Sequence, residues 1–168
     1  MKPAFIKNAL VFIAIFAVVM LIFPLLGQYG LNIWAAITAV IFLFSIIVRK
    51  QLSFKPYFTS KYNLLTSKFR REREFDFPKD LLFDKLVEVL ESAELKVVHT
   101  NKEKGEIFAL SQMTFSSCGE NIYITLSEKN DHTVMHFCSA TFFQIYSWGK
   151  NERNYERLFN EFEESLII

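Results

Sequence analysis

The stretch "IYITLSEKNDHTVMHFCSATFF", Ile122–Phe143, decides the fold. "IYITLSE" is rich in β-branched and aromatic residues, "KNDH" is a polar turn cluster, and "TVMHFCSATFF" is a second strand-forming run. Two such runs around a short Asn-Asp turn read as an antiparallel hairpin. Working back, "SSCGEN" turns around Gly119 and "IFALSQMTF", 107–115, is a strand. "NKEKGE" turns around Gly105, and "LKVVHT", 95–100, is another strand. "PKDLLFDKLVEVLESAE", 78–94, places Leu82, Leu86, Val89, Leu90 and Ala93 at helical spacing, and Pro78 suits a helix start. "REREFDF", Arg71–Phe77, alternates as a strand. Working forward, Glu152–Leu166 sets Tyr155, Leu158, Phe159, Phe162 and Leu166 on one helical stripe. The order predicts an α+β domain over 69–168, a β-α-β-β-β-β-α antiparallel sheet with both helices on one face.

Strand alternation sorts the sheet residues into two sets. One holds Val97, Ile107, Ala109, Ile122, Ile124 and Val134. The other holds Val98, Phe108, Leu110, Tyr123, Met135 and Phe137. An open antiparallel sheet usually keeps one polar face. Here both are apolar, so the second face calls for a cover: a partner, a membrane, a ligand or the preceding chain folded back. Phe108, Leu110, Tyr123, Met135 and Phe137 form the candidate partner surface. A slip of one residue would exchange the sets.

The N-terminal part is of another kind. No charged residue stands between Lys7 and Arg49. A single membrane span needs about 20 apolar residues, so this run is long enough for two. "GQYG", Gly27–Gly30, interrupts it. The expectation is a transmembrane helical hairpin over 1–48, with spans at 9–26 and 31–48. A cleaved signal peptide followed by one anchor fits less well, because the first apolar stretch exceeds the usual length and no small-x-small site precedes the turn.

Residues 49–68 form a basic, aromatic neck. Arg49, Lys50, Lys55 and Lys61 are candidate contacts for lipid headgroups, with Phe54, Tyr57, Phe58 and Tyr62 among them. The basic excess after the hairpin places both termini in the cytoplasm of a bacterial inner membrane. Residues 74–168 carry 17 acidic and 9 basic residues. That acidic balance argues against nucleic acid.

No motif for catalysis or cofactor binding is present, and no cofactor is expected. His136 and Cys138 lie two apart on one strand, but their spacing with His99, His132 and Cys118 matches no zinc pattern. The two cysteines form no CxxC pair and are expected to be reduced. Neither span holds a charge or a histidine, which argues against transport or electron transfer.

"SWGKNERN", Ser147–Asn154, is a corner where a strand gives way to a helix. Ser147, Gly149 and Asn151 can turn and cap the chain, and Trp148 can bury beside the strand end. Lys150 and Arg153 put cations at a helix N-terminus, where backbone N–H groups already favour an anion. Ser147, Trp148, Lys150, Asn151 and Arg153 are therefore read as a structural corner or an anion or partner site. The segment "GENIYITL … TVMHFCSATFFQIYSWGKNERNYERLFNEFEESL" resembles the C-terminal half of a bacterial family of unknown function. That family shows a strand ending in "RSxSR", a loop "DxGxN" and a closing helix. Ser139-Ala140, Gly149, Asn151 and the helix from Asn154 to Leu166 match. Cys138 and Thr141-Phe142 stand where the family has arginines. The resemblance implies the same strand and helix order and carries no known activity.

These features predict a small integral-membrane accessory protein, not an enzyme. Its acidic head would dock on a membrane-protein partner or a second copy of itself, with membrane lipid along the neck. The alternative is a membrane-tethered module binding a lipid or small ligand between sheet and neck, and an enzyme ranks last.

Overall fold

The computed structural model describes residues 27, 29–48, 50–114, 117, 119–142 and 144–166. The chain divides into two compact units, Met1–Lys50 and Gln51–Ile168.

In the first unit, helix α1 runs Gly30–Val48, 19 residues. Among the described residues no helix is long and apolar enough to cross a membrane. This finding corrects the expected transmembrane hairpin. It also corrects the two-span inner-membrane location, the integral-membrane accessory role and the membrane-tethered binding module built on that hairpin. A span needs about 20 predominantly apolar residues, and the described part of helix α1 does not supply one. The other expected span, 9–26, lies outside the described residues.

The second unit is an α+β fold. A short 3₁₀ turn, Leu52–Phe54, leads into helix α2, Lys55–Thr59. Then come β1 (Lys68–Phe75), α3 (Lys79–Ser92), β2 (Lys96–Asn101), β3 (Glu106–Leu110), β4 (Glu120–Lys129), β5 (His132–Thr141) and α4 (Lys150–Glu164). The five strands form one antiparallel sheet in the order β1-β5-β4-β3-β2. Four strands make a meander, and β1 closes it by pairing with β5.

Helices α3 and α4 cover one face, as their apolar stripes demand. Leu82, Leu86, Val89 and Leu90 of α3 and Leu158, Phe159 and Phe162 of α4 are buried there. They pack with Ile107, Ala109, Ile122, Ile124, Leu126, Met135 and Phe137. Gly105 makes the β2–β3 turn possible. Its φ is +64°, and an added Cβ would lie 2.6 Å from the Leu126 carbonyl oxygen.

Strand β5 is displaced by one residue from the expected phase. Ile124 stands opposite Phe137, and Tyr123 opposite Cys138. Met135 and Phe137 therefore belong under the helices, while Val134, His136, Cys138 and Ala140 join Phe108 and Tyr123 on the second face. The five residues of the expected partner surface do not share one face. Phe108, Tyr123, Met135 and Phe137 are all buried, and Leu110 is half-buried. The chain itself covers much of the second face. Phe58 of α2 is 1% exposed and lies against Phe142, ring centres 5.4 Å apart. The segment between α2 and β1 is fastened to the far end of β5. The Thr141 N–H donates to the Ser67 carbonyl, and the Ser67 N–H donates to the Gln144 carbonyl, each at 2.9 Å.

Candidate functional site

Register places chemically distinct side chains in rows across the second face. Arg70, Cys138, Tyr123 and Phe108 are successive cross-strand neighbours on β1, β5, β4 and β3. Glu72, His136, Thr125 and Glu106 form the next row. Helix α2 crosses above these rows. A cleft of about 410 Å³ remains between α2 and the sheet, with Lys55 and Thr59 on one wall, Arg70 and Glu72 on another, and Tyr123 and Cys138 among its lining.

The polar groups around the cleft hold one another in place. Lys55 Nζ donates to Glu106 Oε1 at 2.7 Å and to Thr125 Oγ1 at 3.1 Å. The hydrogen bond from Lys55, with its charge, holds the Glu106 carboxyl below the usual value, against the effect of burial. Arg70 donates from Nη2 to the Thr59 carbonyl, anchoring α2 to β1. His136 Nδ1 lies 3.2 Å from Glu72 Oε2. The Tyr123 ring stacks on Phe108 with centres 5.0 Å apart, and its hydroxyl accepts from Asn121 Nδ2 at 2.9 Å.

Burial pushes the Cys138 thiol up, while the adjacent Arg70 pulls the other way. Burial pushes the Tyr123 phenol up as well. Both groups therefore stay neutral at physiological pH and form an uncharged floor beneath a charged rim that holds Lys55, Arg70 and Glu72. The Cys138 thiol is free. Among the described residues no group of three or more His, Cys, Asp or Glu side chains could hold a metal ion.

Of the expected headgroup contacts, Lys55 is turned to the sheet through Glu106. Lys61 lies over its neighbour's ring, 5.2 Å from the centre of Tyr62. Lys50 is exposed. Arg49 lies outside the described residues.

The corner at 147–154 is filled by the chain's own groups. Lys150 Nζ donates to the Gln112 carbonyl at 2.6 Å and lies 3.4 Å from Glu120 Oε2. Arg153 Nη1 donates to the Trp148 carbonyl at 3.0 Å. Ser147 Oγ lies 3.4 Å from Glu152 Oε2. Asn151 is buried, where it accepts from Ser139 Oγ at 2.8 Å and donates to the Ser67 carbonyl at 3.1 Å. Trp148 does not bury beside the strand end. It is 65% exposed, with φ at +51°. Each cation at the corner already faces a carbonyl or carboxylate oxygen of the chain.

No protein-family profile matches the chain, and no curated protein matches it. Among solved structures, the crystal structure of Ara h 8.0201 aligns over 61% of this chain and 98% of its own, with 9% identity and a TM-score of 0.40. At that score the likeness decides neither fold nor function.

Sequence reading missed the anchor of the corner. Glu120 falls in the turn that the sequence suggests around Gly119, yet it opens β4 and is fully buried. Ser111 and Ser117 donate hydroxyl hydrogen bonds to its two carboxylate oxygens. Asn154 Nδ2 adds a third at 3.2 Å. The signal available in sequence was a Glu directly after Gly119 with Ser116 and Ser117 upstream, and it does not separate a capped turn from a buried carboxylate. The cleft was missed for another reason: it needs Lys55 and Thr59 beside Arg70 and Cys138, and no local pattern brings those together.

Proposed function

We propose that the Gln51–Ile168 unit binds a small amphiphilic anion in the cleft between α2 and the second face of the sheet. The observation that carries this reading is Arg70 at the rim, with guanidinium donors beyond the one spent on Thr59, above the neutral Tyr123 and Cys138 inside one cleft. Apolar surface with a few fixed polar groups is the usual make-up of a small-molecule site. Arg suits a carboxylate or phosphate because its planar fork can donate twice. One guanidinium nitrogen of Arg70 is used on Thr59, and the fork has further donors. The role is binding without covalent chemistry: the thiol is held protonated, and protonated thiols are poor nucleophiles. Nucleic acid is not part of the reading, since the acidic balance of 74–168 disfavours an extended polyanion. The C-terminal likeness to the bacterial family of unknown function belongs to the same proposal, as a shared corner and not a shared activity.

Cys138 reacts slowly, and with iodoacetamide in large excess its slow alkylation reports on occupancy. Decanoate, as the probe, should slow alkylation of Cys138 by iodoacetamide at least threefold in the full chain, read by peptide mass spectrometry. Arg70→Ala should remove that protection, and decanol, which lacks the charge, should protect less. Equal alkylation rates with and without saturating decanoate would rule this cleft out as the site.

A further inference from the structure

Strand β1 is an edge of the sheet, and its sequence is "KFRREREF", Lys68–Phe75. Its outward row can be assigned from one hydrogen bond. The Thr141 N–H donates to the Ser67 carbonyl, so Ser67 faces β5. Backbone groups along an antiparallel edge strand alternate sides. Phe69, Arg71, Arg73 and Phe75 therefore spend theirs on β5, and Lys68, Arg70, Glu72 and Glu74 turn theirs to the free edge. Among the described residues no strand other than β5 pairs with β1. Residues 70–74 are all exposed.

The other edge is protected. Strand β2 carries a register irregularity between Val97 and His99 and opens on Lys96, both familiar means of blunting an edge. Strand β1 has no register shift over its eight residues. Its defence is charge alone, and that charge has a particular order.

We infer that β1 pairs antiparallel with β1 of a second copy of this chain, about a two-fold axis through Arg71. In that register Lys68 faces the partner's Glu74 and Arg70 faces the partner's Glu72, and the symmetry repeats both pairs. All four residues with free backbone groups thus meet an opposite charge directly across the strands, where charge pairs act most strongly. On the other face Phe69 meets Arg73, a cation over an aromatic ring. One like-charge contact, Arg71 with its own copy, falls on the axis. Moving the axis to Glu72 sets Glu72 against itself and Arg71 against Arg73. Moving it to Arg70 sets Arg70 against itself and leaves Glu74 opposite Thr66. The sequence is most self-complementary in the Arg71 register, and an isologous contact of this kind closes as a dimer.

The test is the mass of the full chain by light scattering and native mass spectrometry across a concentration series. The expected result is a dimer whose dissociation constant rises with salt. Glu74→Lys, at an exposed position outside the cleft, should weaken the dimer at least tenfold, and Glu72→Arg should do the same. The exchange Arg70→Glu with Glu72→Arg restores opposite charges across the axis and should bring the dimer back. Circular dichroism checks that each variant keeps its fold. A monomeric wild type at tens of micromolar would overturn the inference. So would a dimer indifferent to Glu74→Lys and Glu72→Arg, or an exchange variant that stays monomeric while folded.

Discussion

Glu106 and Glu120 are two carboxylates in one sheet with opposite relations to water. Glu106 is partly exposed, and Lys55 holds its carboxyl below the usual value. A depressed folded value means stability that is present above the ordinary carboxylate value and lost as pH falls through the folded one. Urea unfolding of wild type and Glu106→Gln should therefore differ by a constant amount at neutral pH, and the difference should shrink below about pH 4.5. A difference that grows on acidification would contradict the Lys55–Glu106 assignment. Glu120 is sealed from water between two serines, Asn154 and Lys150. Removing one member of such a set strands the others. Glu120→Ala should cost about 3 kcal/mol, read as a lower urea midpoint at unchanged slope.

At the scale of elements, α2 is the piece that turns a bare sheet face into a cleft. It has five residues, too few to be a stable helix by itself. It is held by Phe58 under its turn, by Arg70 donating to Thr59 and by Lys55 reaching across to β3 and β4. Phe58→Ala should cost about 3 kcal/mol and speed alkylation of Cys138, because the helix above the thiol loses its anchor. Unchanged alkylation would mean that α2 does not guard the cleft. The longer elements were legible in sequence. The stripes of α3 and α4 and the turns at Gly105 and Asn130-Asp131 are local patterns, and local patterns report local structure. The phase of β5 was not legible, because Val134, His136, Cys138 and Ala140 on one side and Met135 and Phe137 on the other both carry apolar residues. Hydropathy cannot choose between them. Pairing with Tyr123 and Ile124 chooses, and pairing is not local.

At the scale of the whole chain, charge is distributed by structure more than by segment. The basic residues that follow Val48 in sequence do not act as one patch: Lys55 meets Glu106, Arg73 meets Glu163 at 3.2 Å, and Lys68 donates to the Asn63 carbonyl at 2.7 Å. Lys150 and Glu120, thirty positions apart, meet at the corner. The sequence counts were right, and the partners were invisible to them. The same holds for the cover of the second sheet face. An apolar second face demands something over it, and that demand was readable. Which of the candidates supplies it depends on Phe58 meeting Phe142, a contact across more than half of the Gln51–Ile168 unit.

Pairing of β1 with β5 also has a consequence for how the chain is made. The partners of β1 lie between 58 and 72 positions downstream, from Thr133 opposite Phe75 to Ala140 opposite Lys68. At ribosomal speeds of about 5–20 residues per second, β1 waits roughly 3 to 14 s for the strand it joins. An apolar strand left open for that time is a seed for aggregation between nascent chains. The alternating Arg and Glu residues of β1 keep it hydrated during the wait, and the meander of β2 to β5 can form without it. The earliest of the five strands to be made is thus the one that must wait for its partner.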